Sequence, residues 1–164
     1  GRMVLVRSTA PLDVVPLPVP EGLGCVLVPP QVDVATRYAR SLLPETVPLG
    51  AAVRHWGDVA GLVAGLCGGD LDLISRSLRD DIVEPVRSPL IPGFQEAKQA
   101  ALEAGALGFG ISGSGPAVFA LVADPASPGA VRDAILAAFQ TQGLRASAHL
   151  TRIDARGARV LDPT

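Results

Sequence analysis

Apolar and polar positions follow two different rhythms along this chain. Short apolar runs at residues 3–7, Gly24–Val28, 107–111 and 117–122 predict strands, since continuous runs of that length suit buried extended segments. Between them apolar residues recur three and four apart, the helical period. The first helix is expected over residues 33–43, with Asp33 as N-cap, Ala35, Ala39 and Leu42 on one face, and Pro44 beyond its end. Leu49, Ala52, Val53, Trp56, Ala60, Val63 and Leu66 predict a longer second helix, broken by Gly68-Gly69. Asp70 then caps a third, whose stripe is Leu71, Ile74, Leu78 and Ile82.

Punctuation completes the pattern. Pro11, Pro16, Pro18 and Pro20 exclude a helix or a central strand between residues 11 and 20, leaving an extended edge or connector. Glu84-Pro85-Val86-Arg87 leaves the third helix for a proline-marked turn, and residues 94–104 form a further helix closed by Gly105. After residue 122 comes a turn over residues 124–129, in which Ser127 and Pro128 make an N-cap and first-turn pair. Val131, Ile135, Ala138 and Phe139 mark the last helix, ended by Gly143. Residues 145–153 alternate weakly, and residues 156–161 read as a final strand. This order predicts an α+β domain with helices on one face of a small, mostly antiparallel sheet, rather than a doubly wound parallel sheet.

Composition narrows the classes. With 164 residues, 48% of them hydrophobic and 18% charged, the chain suits one globular domain with a real core. The net charge of −2 gives no drive toward nucleic acid or an anionic membrane. No apolar stretch is long enough for a bilayer and no signal peptide is visible, so a cytoplasmic protein is expected. Cys25 and Cys67 each lie in an apolar run and read as buried core thiols. His55 and His149 lack metal-ligand spacing, so no metal site is expected. The chain opens Gly1-Arg2-Met3 and enters a strand at once, which reads as a piece of something longer.

The chemistry centres on Gly110-Ile111-Ser112-Gly113-Ser114-Gly115, between the two central strands. Successive N–H groups in such a loop can form an anion-binding hollow, and glycine admits close backbone approach. Residues 108–113 match G-x-G-x-x-G in letters, but that dinucleotide fingerprint needs a helix after the glycines. A strand follows instead, and no Gly-Lys-Ser/Thr closes a P-loop. A plain glycine turn between core strands is the alternative.

Arg40 and Arg87 stand near proline-marked helix ends, and Thr36 shares a helical face with Arg40. Two planar guanidinium groups could fix a small carboxylate in bidentate fashion. Arg76 and Arg79 lie among Asp80, Asp81 and Glu84 and read as local ion pairs at a solvated helix end. That end is not a paired-carboxylate catalytic site.

Four stretches carry a resemblance: residues 7–13, residues 34–44, residues 84–94, and the glycine loop with its strands over residues 107–121. In this order they resemble the homoserine kinase family of GHMP small-molecule kinases. Only the C-terminal half is represented, and no Pro-x-x-x-Gly-Leu-Gly-Ser-Ser-Ala phosphate loop occurs. The resemblance implies the ferredoxin-like GHMP C-terminal domain over residues 23–164. Residues 1–22 would be a remnant of the N-terminal domain and its connector.

It further implies transfer of the ATP γ-phosphoryl group to the hydroxyl of L-homoserine, toward threonine synthesis, in a homodimer. ATP and Mg²⁺ would be held mainly by the absent half, so this half is expected to be inactive alone, with no catalytic residue of its own. Arg40 and Arg87 match the family's carboxylate-binding arginines. Thr36, Ser112 and Gly113 would border the substrate, while Gly110, Ser112, Gly113, Ser114 and Gly115 form a wall beside the phosphate site. A non-catalytic amino-acid-binding or dimerisation module, or a GHMP kinase for another small alcohol, are the alternatives.

Overall fold

The computed structural model describes residues 3–123 and 128–154. The apolar run at the start becomes strand β1 (Val4–Thr9), which turns back on β2 (Leu12–Pro16) as an antiparallel ribbon, with a register shift between Val6 and Ser8. The proline-rich segment is thus extended, as its composition requires, and Pro16 ends it without leaving a gap in a central ladder. The ribbon is tied back by the Leu17 N–H, which donates to the Met3 carbonyl at 2.9 Å.

The main sheet has four strands: β3 (Gly24–Val28), β4 (Gly108–Ile111), β5 (Val118–Val122) and β6 (His149–Arg152). Their order is β4-β5-β3-β6 and every pairing is antiparallel. Helices enter between β3 and β4: α1 (Thr36–Ser41), α2 (Leu49–Gly68), α3 (Leu71–Ser77), the one-turn α4 (Glu84–Arg87) with a 3₁₀ turn (Ser88–Leu90), and α5 (Phe94–Glu103). The last helix, α6 (Pro128–Thr141), connects β5 to β6. From β3 onward this is the split β-α-β, β-α-β plan of a ferredoxin-like sheet, and the α+β expectation holds.

Strand alternation decides what each face packs against. Val118, Ala120 and Val122 of β5, with Val26 and Val28 of β3, meet Phe94, Ala97 and Ala101 of α5 and Val131, Ile135 and Phe139 of α6. This face holds the main core, where the Phe94 and Phe109 rings stack edge to face with centroids 5.3 Å apart. The alternate residues Phe119, Leu121 and Cys25 join Leu66 of α2 and Ile74 of α3 in a second, smaller cluster. The α5–α6 layer is therefore the expected helical face, and the α2–α3 pair adds cover on the opposite one.

Several local expectations shift. The first helix begins at Thr36, not near Asp33, and its N-cap Ala35 has no capping side chain. The preceding residues are held extended instead, by the Gln31 N–H donating to the Arg145 carbonyl at 2.8 Å and by the Pro30–Ala146 bridge. Asp70 does cap α3, accepting from the Leu73 N–H at 2.9 Å. That helix stops at Ser77, however, so Ile82 is not part of its stripe. The Asp80 carboxylate accepts from the N–H groups of both Ile82 and Val83, which offers the backbone a turn in place of a helix.

Cys67 is exposed, against the expectation of a core thiol, because α2 is apolar around much of its circumference and only one side meets the core. Burial pushes the Cys25 thiol up from its ordinary pKa. Ser127 and the final strand expected over residues 156–161 lie outside the described residues.

Candidate functional site

The glycine loop is the turn between β4 and β5. The Ser112 N–H donates to the Ala117 carbonyl at 2.8 Å and the Gly115 N–H to the Ser112 carbonyl at 3.1 Å, which closes the turn. Gly113 and Gly115 have φ of +63° and +81°, the left-handed region that glycine enters without penalty. A Cβ on Gly113 would meet nothing within 4 Å, so that position faces open space. Gly110 is glycine for a different reason: a Cβ there would lie 3.1 Å from the Phe119 ring. The N–H groups of Gly113 and Ser114 have no backbone acceptor among the described residues, which suits the loop to an anion.

Two other elements converge on this turn. From α1, the Thr36 hydroxyl shares a hydrogen bond with the Ser114 hydroxyl at 3.4 Å. From the end of α4, Arg87 donates through Nη1 to the Gly113 carbonyl at 3.2 Å and through Nε to the Ala39 carbonyl at 3.3 Å. The half-buried Arg87 thereby joins the loop to α1, one residue before Arg40. Arg40 itself is exposed in the last turn of α1, and its guanidinium makes no hydrogen bond or ion pair among the described residues. Thr36, Arg87, Gly113 and Ser114 are thus brought together. Arg40 lies one helical turn from Thr36, and the Ser112 side chain makes no described contact with either arginine.

Supporting groups came from residues with no local sequence signal. Glu84 pairs with Lys98 of α5, with side chains only 12% and 27% exposed. The expected local pairings are replaced: Arg76 pairs with Asp72 at 2.8 Å and Asp81 with Arg54 at 3.6 Å. Glu84 is accordingly no member of a solvated helix end. Next to the loop lies a cavity of about 260 Å³, lined among others by His55, Asp80, Glu84, Phe109 and Gly113. His55 Nδ1 is buried there without a hydrogen-bond partner among the described residues. Periodicity alone gives His55 no role, because the position reads only as one more residue of a helix.

No group of three or more His, Cys, Asp or Glu side chains among the described residues is placed to hold a metal ion. Nor is any described helix long and apolar enough to cross a membrane.

Comparison with known proteins agrees with this geometry. Residues 62–141 match the family model for the C-terminal domain of GHMP kinases. A homoserine kinase from Chlorobium phaeobacteroides (strain BS1) is 45% identical over 163 residues, which is 98% of this chain and 51% of that protein. One from Thermococcus kodakarensis is 43% identical over 152 residues, 93% of this chain and 50% of its own length. The chain therefore spans about half the length of these relatives. The crystal structure of a Cytophaga hutchinsonii homoserine kinase superposes with a TM-score of 0.90 at 48% identity, covering 92% of this chain and 48% of that one. An L. major mevalonate kinase, solved with R-mevalonate, shares the fold at 19% identity and a TM-score of 0.61, over 87% of this chain and 45% of that one. A glycine turn in a ferredoxin-like sheet, the matched model, and homoserine kinase relatives along nearly the whole chain together mark residues 62–141 as a GHMP kinase C-terminal domain.

Proposed function

We propose that this chain is the substrate-side half of a homoserine kinase, the enzyme that moves the ATP γ-phosphoryl group to the hydroxyl of L-homoserine. The observation that carries the reading is Arg87. Its guanidinium ties the Ala39 carbonyl of α1 to the Gly113 carbonyl of the loop, where the helix bearing the second arginine meets the glycine turn. Arg87 and Arg40 would take the homoserine carboxylate, each supplying paired N–H donors to one anionic group. Thr36, Ser112 and Gly113 would border the rest of the molecule.

Phosphoryl transfer depends mainly on positioning and charge stabilisation, and this half supplies the positioning. Open space at Gly113 and the N–H groups of Gly113 and Ser114, which have no backbone acceptor among the described residues, fit a phosphate-bearing loop approaching closely from the other half. We assign ATP and Mg²⁺ mainly to that other half, with residues 1–22 as the last part of its domain and its connector. ATP supplies the transferred phosphoryl group. The chain's own residues hold the acceptor and shape the wall facing it. The product would be O-phospho-L-homoserine, in the cytoplasm, made by a homodimer.

In a full-length kinase carrying these residues, Arg40→Ala and Arg87→Ala are each expected to raise the homoserine KM by roughly 10–100-fold, as loss of a charged hydrogen bond of about 1.5–3 kcal/mol implies. The ATP KM should stay near wild type. Wild-type homoserine kinetics in both variants would overturn the assignment.

A further inference from the structure

We propose that Lys98 is a positioning residue that masks the Glu84 carboxylate, keeping it from competing with substrate for Arg87. This rests on the reading of Arg87 as the carboxylate-binding arginine. Glu84 and Arg87 are the first and last residues of the one-turn helix α4, and residues three apart on a helix are neighbours on its surface. Both flank Gly113: Glu84 lines the cavity that Gly113 also lines, and the Gly113 carbonyl accepts from Arg87. An acid so near a carboxylate-binding guanidinium would bind it internally and repel the substrate's own anion.

The fold answers this with a cation from another element. Lys98 comes from the second turn of α5 and pairs with the Glu84 carboxylate. Glu84 and Lys98 are 12% and 27% exposed, whereas in every other ion pair among the described residues both side chains are at least 39% exposed. A pair this sheltered is not an incidental surface contact of the kind that contributes little. Removing its cation would strand a half-buried carboxylate, and the nearest strong donor in its own helix is Arg87.

A charge-masking role and a plain structural clamp make different demands. If masking is the role, the harm comes from Glu84 left charged and alone, and neutralising it removes the harm. If clamping is the role, losing either member harms the site. The test is steady-state kinetics in a full-length kinase carrying these residues, with thermal melts on every variant. Lys98→Met is expected to raise the homoserine KM about 10-fold while kcat stays within about threefold, within the range that a misplaced binding group causes. The double variant Glu84→Gln/Lys98→Met should return the KM to within about threefold of wild type, and Glu84→Gln alone should leave it there.

A tenfold higher KM in Glu84→Gln, or no recovery in the double variant, overturns the masking role. Should Lys98→Met fail to fold, Lys98→Gln takes its place in both the single and the double variant, and a tenfold higher KM in Glu84→Gln still overturns the masking role. Arg87→Ala separates the layers. If it raises the homoserine KM while Lys98→Met does not, masking fails and the Arg87 reading stands. If Arg87→Ala changes nothing, the underlying reading fails.

Discussion

At the scale of single residues, the glycines of this chain serve two distinct needs. Gly113 exists for its backbone angle and the open space before it. Gly108 exists for contact: a Cβ there would lie 2.6 Å from both Cβ and Cδ1 of Leu78. Leu78 Cβ cannot swing away as a side-chain tip could, so the segment after α3 would have to move from the sheet. Gly108→Ala is expected to destabilise the fold by about 1–3 kcal/mol, the usual cost of overpacking, read by equilibrium urea unfolding. An unchanged midpoint would show that the segment yields freely.

The glycine loop was visible in the sequence because its residue types are themselves the chemistry, whereas Arg87 and Thr36 were tied to a site only by the family resemblance, since spacing does not show which residues converge. Lys98 was not, since it meets Glu84 across a proline-marked break and 14 residues of chain. No periodicity or spacing encodes that pairing.

At the scale of elements, helices α3 and α4 are short and depend on their ends. Leu71–Ser77 is seven residues long, too short to persist without packing and capping. Asp70→Ala removes the bond to the Leu73 N–H and should cost about 1 kcal/mol, shifting the urea midpoint while leaving the slope unchanged. A shift no larger than experimental error would mean that packing against α2 alone holds this helix. Element types were largely legible from spacing; element ends were less so. Asp33 has the right chemistry for an N-cap, yet the bond from the Gln31 N–H to the distant Arg145 carbonyl claims the backbone two residues earlier first. Asp80 ends a stripe that hydrophobic spacing carried on to Ile82, because two side-chain-to-backbone bonds outweigh one more apolar position.

At the scale of the whole molecule, apolar surface remains where a partner would fit. Val6 and Leu12 of the β1–β2 ribbon are 51% and 72% exposed, and Leu49, Val53 and Trp56 of α2 are 71%, 53% and 62% exposed. A two-stranded ribbon is marginal in water by itself, and apolar patches of this kind mark contact surfaces. The chain alone is therefore expected to self-associate with rising concentration in sedimentation velocity. A single monomeric species throughout would show that these residues need no cover.

The carboxylate grip of Arg87 is tested most directly by removing the carboxylate rather than the arginine. A full-length kinase carrying these residues would be offered L-homoserine and 3-amino-1-propanol, which keeps the amine and the hydroxyl but has no carboxylate. The measurement is the ratio of kcat/KM for the two, in wild type and in Arg87→Ala. Wild type should favour homoserine strongly, and Arg87→Ala should cut that preference by roughly 10–100-fold, equivalent to a lost charged hydrogen bond of about 1.5–3 kcal/mol. If the ratio is the same in both proteins, Arg87 does not hold the carboxylate.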